Sequence, residues 1–134
     1  MADDAMAVVQ SALACFNAGD AEGFVALLAD DVRFWMNGSH QFSGPVEGKA
    51  AFLALVGRVN AGLREPIRLA VANAIRAGEW AVIEADGTAV TASGAPYRNR
   101  YCMLWRVAGG KVVEFKEYND SALVIASFPA PAVV

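Results

Sequence analysis

Apolar residues recur at three- and four-residue steps from Ala5 to Phe16, through Met6, Val9, Leu13 and Phe16. That spacing places them on one face of a helix, and Asp3 or Asp4 stands where a side chain can cap the free N–H groups. Asn17-Ala18-Gly19-Asp20 then joins a left-handed glycine stop to an aspartate able to cap a second helix, whose apolar stripe is Phe24, Leu27 and Leu28. The segment VRFWM, Val32 to Met36, is β-prone and runs into the turn signal Asn37-Gly38-Ser39, so a short strand and then a loop holding His40 are expected. Gly44-Pro45 breaks the chain again. Phe52, Leu55, Val56, Val59 and Leu63 predict a third helix from about Glu47 to Leu63, which Pro66 ends.

Beyond Pro66 the period changes to two. Ile67, Leu69, Val71, Asn73 and Ile75 alternate with Arg68, Ala70, Ala72, Ala74 and Arg76, a strand pattern that Gly78 turns into a second strand from Trp80 to Thr91. Ala92 to Pro96 reads as a loop. Tyr97 to Asp120, YRNRYCMLWRVAGGKVVEFKEYND, is a long hairpin, because Gly109-Gly110 accepts the positive φ angles of a tight turn between two β-prone runs. The tail from 128 to 134 carries too much proline to extend a sheet and is expected to be extended. The order predicts an α+β fold with helices on one side of an antiparallel sheet, in one domain covering 1–134.

The hairpin register decides which side chains share a face. A two-residue turn pairs Ala108 with Lys111, so Cys102 opposes Glu117, and a centred loop at Ser93-Gly94 brings Ala85 opposite Cys102 and Ile83 opposite Leu104. One face then holds Ile83, Ala85, Arg100, Cys102, Leu104, Val113, Phe115, Glu117 and Asn119. Its aliphatic character suits packing under helices, so it is read as the inner face. The other mixes Glu84, Asp86, Tyr101, Met103, Trp105 and Tyr118, as an outer surface does. A single bulge would exchange the faces beyond it.

Two readings of Glu117 follow. Burial raises a carboxyl's pKa and makes it a candidate general acid or base, assisted by Arg100 or Asn119. Alternatively Glu117 and Arg100 form a structural ion pair near the sheet rim.

Composition narrows the function classes. Of 134 residues, 56% are hydrophobic and 19% charged, which excludes disorder and calls for extensive burial or an apolar interface. A net charge of -3 with no basic cluster argues against nucleic acid as a partner. No apolar run approaches a membrane span, and MADDAMAVV lacks the basic flank of a signal peptide, so a cytoplasmic location without membrane contact is expected. Cys15 and Cys102 lack C-x-x-C spacing and read as reduced core thiols. With His40 the single histidine, no metal site is indicated and no cofactor is expected.

FNAGD, LLADDVRF and the closing GGKVVEFKEYND, with the order of elements, resemble the SnoaL-like and ketosteroid isomerase-like branch of the nuclear transport factor 2-like superfamily. The resemblance implies a cone-shaped curved sheet, antiparallel or mixed, wrapped around a long helix with three N-terminal helices, a cystatin-like α+β barrel. It also implies a homodimer through the outer sheet face, where Tyr101, Trp105 and Tyr118 are expected. Placed on this chain, the ketosteroid isomerase oxyanion-hole tyrosine falls at Ala12, its base near Met36 and its protonated aspartate at Cys102, so that mechanism is disfavoured. The epoxide hydrolase pattern of the same superfamily lacks its second carboxylate. The resemblance further implies a deep apolar pocket, expected to be lined by Ala12, Phe16, Trp35, Met36, His40, Phe52, Val56, Ile83, Cys102, Leu104 and Phe115. It would take a small apolar carbonyl ligand in roughly 300 Å³ or more, with Glu117 as acid or base, or serve a non-catalytic binding or dimerisation role.

Overall fold

The computed structural model describes residues 4–129. In chain order the elements are α1 (Ala5–Ala18), α2 (Ala21–Ala26), β1 (Leu28–Met36), β2 (Gly44–Glu47), α3 (Lys49–Ala61), β3 (Leu63–Ala77), β4 (Trp80–Thr91), β5 (Pro96–Ala108), β6 (Lys111–Tyr118) and α4 (Ser121–Ser127). The class is α+β, with one six-stranded, mixed, curved and open sheet in the order β2-β1-β6-β5-β4-β3. Only β1 beside β6 is parallel; the other neighbours are antiparallel. Helices α1 and α3 pack against the sheet and close the core between them.

The local signals act as expected at the amino-terminal end. Asp4 caps α1 by accepting from the Met6 N–H at 3.0 Å, and Gly19 ends it with φ 72°. Asp20 caps α2 through the Gly23 N–H at 2.9 Å, so two helices meet in a tight corner. α2 ends before Leu27, and Leu28 begins β1.

Pro45 and Pro66 behave differently from expectation. Gly44-Pro45 does not merely interrupt the chain: it forms β2, with Pro45 opposite Trp35. Pro66 lies inside β3, because α3 already stops at Ala61 with Gly62 as its cap. Both strands are sheet edges, where a missing N–H need not interrupt the ladder, and the register shifts between Glu65 and Arg68 around the proline. α4 is an unanticipated element, started by Asp120 accepting from the Ala122 and Leu123 N–H groups. Seven residues are too few for a helical period to stand out. Of the expected extended tail, 130–134 lie outside the described residues.

The hairpin turns at Gly109-Gly110 with φ of 60° and 74°, and Ala108 faces Lys111 as its two-residue turn requires. A bulge then intervenes: Val107 pairs with Val112, but Arg106 pairs with Glu114, leaving Val113 as the extra residue. From there Trp105 opposes Phe115 and Met103 opposes Glu117. The β4–β5 register is also one residue from expectation, with Ala85 opposite Tyr101 and Ile83 opposite Met103. These two changes correct the face of β5. Tyr97, Asn99, Tyr101, Met103, Trp105 and Val107 are buried on the inner face, while Arg100, Cys102 and Leu104 are on the outer one. Ile83 and Ala85 on β4, with Phe115 and Glu117 on β6, keep the predicted side. Tyr101 and Trp105 therefore do not belong to an outer aromatic surface; Tyr118 does, packed on Trp35 with ring centroids 5.2 Å apart.

Candidate active site

Between the inner sheet face and the helices lies a cavity of about 110 Å³. Its wall is mostly apolar, with rings from Phe16 on α1, Phe24 on α2, Phe34 on β1, Phe52 on α3 and Phe115 on β6. These rings meet edge to face or tilted, with centroids 5.0 to 6.5 Å apart, and Trp105 stacks on Phe115 at 3.8 Å. The volume is about a third of the expectation because aromatic side chains fill the cone they line. Phe42 from the β1–β2 loop, Val124 from α4 and Phe128 complete the wall. Gln41 ties that loop to the chain end by donating to the Phe128 carbonyl at 2.9 Å.

Glu117 and Asn119 lie on this wall. Glu117 is held at the end of β6 by Met103 on one side and Met36 on the other. The Asn37 amide fixes the next turn of chain: its Nδ2 donates to the Asn119 carbonyl at 2.9 Å and its Oδ1 accepts the Asn119 N–H at 3.1 Å. Asn119 Nδ2 in turn donates to Glu117 Oε2 at 2.9 Å. Desolvation among apolar neighbours outweighs that hydrogen bond and raises the Glu117 pKa to about 7. The side chain is half-buried and Oε1 has no hydrogen-bond partner among the described residues. A carboxyl so placed can take and give a proton near neutral pH.

The register explains why Arg100 does not neutralise it. Arg100 is on the outer face, where its Nε and Nη2 donate to Asp86 at 2.9 and 3.2 Å, so neither assistance to Glu117 nor an ion pair with it fits this geometry. An exposed pair of this kind is screened by solvent and contributes little to stability. Arg100→Ala is accordingly expected to leave the Glu117 titration in place and the unfolding temperature nearly unchanged; a carbon-13 titration of the carboxyl and thermal unfolding would check both.

Of the other expected wall residues, Phe16, Met36, Phe52, Val56 and Phe115 line the cavity. Ala12 and Ile83 are buried in the core beside it without reaching the wall. Trp35 points outward, and Cys102 and Leu104 lie outside with Arg100 because β5 presents its odd-numbered residues inward. His40 is one step from the wall: its Nδ1 accepts the N–H of Phe42, which does line it. Burial lowers the His40 pKa. Both cysteines are free and half-buried. Among the described residues no group of three or more His, Cys, Asp or Glu is placed to hold a metal ion, and no helix is long and apolar enough to cross a membrane.

Tyr97, Asn99 and Tyr101 form a buried polar cluster that the face assignment concealed. Asn99 Nδ2 donates to the Tyr97 hydroxyl at 3.0 Å, and the two tyrosine hydroxyls are 2.8 Å apart. Both tyrosines line the cavity. β5 itself contained the signal, since Arg98, Arg100 and Arg106 all occupy even positions and arginines seldom face a core.

The SnoaL-like domain family matches residues 9–115. Among solved structures, an NTF2-like protein of unknown function from Burkholderia pseudomallei is 25% identical, with a TM-score of 0.85 over 95% of this chain and 98% of that one. TerC, crystallised with polyporic acid, is 18% identical with a TM-score of 0.83 over 95% and 99% of the two chains. A protein of unknown function with a cystatin-like fold from Xanthomonas campestris is 19% identical, with a TM-score of 0.82 over 95% and 99%. None of the curated proteins matches the chain.

Proposed function

This chain belongs to the SnoaL-like domain family, and we propose that it is a metal-independent isomerase, cyclase or lyase acting on a small apolar carbonyl compound. The observation that carries the reading is Glu117, a carboxyl with a pKa of about 7 on the wall of an otherwise apolar cavity. The Glu117 carboxylate takes a proton from the carbon next to the carbonyl. The C–H electron pair becomes a carbon–carbon double bond while the carbonyl π pair moves onto oxygen, giving an enolate and a protonated Glu117. Returning that proton to a different carbon completes an isomerisation. Attack of the enolate carbon on a second carbonyl, whose oxygen then receives the proton, closes a ring.

The first step can be tested without knowing the natural substrate. In D₂O the protein is expected to exchange the α-protons of cyclohexanone faster than buffer alone, with a rate that rises with pH through about 7 as Glu117 loses its proton. Proton NMR follows the exchange directly. A rate equal to buffer on both sides of that pH would remove proton transfer from the reading.

A second reading is a non-catalytic binding module of the same fold: a cavity of about 110 Å³, well below the roughly 300–1,000 Å³ of ordinary ligand sites, leaves room to hold a small ketone but little for a substrate to rearrange. Under it the ketone binds without exchange.

A further inference from the structure

Hydrogen-bond accounting in the tyrosine cluster leaves one donor over. Tyr97 and Tyr101 carry two hydroxyl protons, and one of them bridges the two oxygens at 2.8 Å. The other has no acceptor among the described residues, although Tyr97 and Tyr101 are only 2% and 5% exposed. A buried O–H without an acceptor is costly, so a ligand or solvent oxygen is called for.

Asn99 decides which hydroxyl is left. Its Oδ1 accepts from the Arg100 and Asp120 N–H groups at 2.8 and 3.1 Å, and its Nδ2 donates to the Asp120 carbonyl as well as to Tyr97. With the amide fixed on both sides, the Tyr97 oxygen is an acceptor. Accepting a hydrogen bond strengthens an O–H as a donor, which favours Tyr97 donating to Tyr101 and leaves the Tyr101 proton free.

The Tyr101 ring is also placed by its neighbours. It lies over Gly87 of β4, where a Cβ would collide with the ring, so that glycine makes room for it. In the β5–β6 register Glu117 opposes Met103, two residues from Tyr101 on the same face, which makes Tyr101 the diagonal neighbour of Glu117. Such diagonal neighbours are roughly 7–8 Å apart, with their Cβ atoms somewhat closer, so the two side chains flank the same stretch of the cavity wall. Burial, with repulsion from Tyr97 and Glu117, pushes the Tyr101 phenol up and keeps it protonated.

We propose that Tyr101 is the hydrogen-bond donor that seats the carbonyl oxygen of the ligand, opposite the Glu117 base. Tyr97 and Asn99 orient it, and Gly87 gives its ring space. This inference rests on the proposed carbonyl chemistry, and it makes ketones and their enolates the ligand class: the oxygen that gains charge as Glu117 takes the proton is the one Tyr101 holds.

The test uses the full-length protein with cyclohexanone and its hydrocarbon isostere, methylenecyclohexane. Bound cyclohexanone is expected to show its carbonyl stretch at lower wavenumber than in cyclohexane solution, in wild type and in Glu117→Gln alike. Tyr101→Phe is expected to abolish that shift and weaken ketone binding about three- to tenfold, the loss of one ordinary hydrogen bond, while methylenecyclohexane binds no more weakly. In wild-type protein carrying ¹³C at tyrosine Cζ, the ketone and not the alkene is expected to move the Tyr101 resonance, a readout that needs no folded variant. An unshifted carbonyl in wild type, a shift that survives Tyr101→Phe, or an unmoved Tyr101 resonance would overturn the assignment. Absence of α-proton exchange with the carbonyl shift intact would count against Glu117 alone.

Discussion

Glu117→Gln is expected to lower turnover on the protein's substrate by about 10²–10⁴-fold, the range over which a positioned general base or acid contributes. The substitution is close to isosteric, and the Asn119 Nδ2 that donates to Glu117 Oε2 at 2.9 Å can donate equally to a glutamine oxygen. Geometry is thereby retained while the proton acceptor is removed. The loss should therefore fall on kcat, with substrate affinity nearly unchanged, since an amide offers no base near neutral pH in either orientation. Cyclohexanone exchange in D₂O should fall to the buffer rate in the same variant. Steady-state kinetics beside a calorimetric binding measurement separate the two parameters. Turnover that persists at the wild-type level would take Glu117 out of the mechanism. Loss of binding together with turnover would show that the variant had disturbed the cavity rather than its chemistry.

That single carboxyl was legible in the sequence for a reason the structure makes specific. Parity on β6 needs no long-range information: Phe115 and Glu117 share a face whichever strand lies beside them, and the apolar Phe115 marks that face as inner. Between β6 and β5 the bulge intervenes. A turn fixes the register only until an extra residue intrudes, and nothing in GGKVVEF marks Val113 as that residue. Because the β4–β5 register is displaced by one residue as well, the consequence stays within β5, where Arg100 and Cys102 exchange sides with Tyr101 and Met103. Reading β5 on its own pattern, with three arginines at even positions and the large aromatics at odd ones, would have outvoted the turn.

The same locality explains the sheet edges and one part of the cavity wall. Pro45 and Pro66 look like breaks when only the chain is considered, yet an edge strand tolerates a residue without an N–H, and which strands are edges is a property of the assembled sheet. Nor does the sequence disclose that Phe42 and Phe128, 86 residues apart, meet on the cavity wall with ring centroids 5.5 Å apart. Asp120 is a residue type that can cap a helix, but the seven residues of α4 offer no period to weigh against a loop.

Burial of Glu117 should also be measurable as stability, and in the opposite direction to catalysis. In the unfolded chain the carboxyl titrates near its ordinary value of 4.5, and in the folded protein near 7. Below about pH 4.5 the group is protonated in both states and contributes nothing to the difference. Between the two values the folded state keeps a proton that the unfolded state has released, so stability declines as pH rises and levels off once the folded carboxyl has ionised. At 1.36 kcal/mol per unit the full decline is about 3 kcal/mol. Glutamine has no such titration. Glu117→Gln is therefore expected to lack this part of the pH dependence and to gain on wild type by up to about 3 kcal/mol between acid pH and pH 8, or about 10 °C in Tm for a chain of this size. The comparison with wild type cancels the other carboxyls, which titrate in both proteins. Any constant difference from the amide's own hydrogen bonding shifts the two curves without changing their divergence. Urea unfolding across this pH range reads the effect, and parallel curves would mean that Glu117 ionises as freely inside the fold as outside it. Divergence together with lost turnover would show that the protein maintains a destabilising carboxylate where its proposed chemistry needs one.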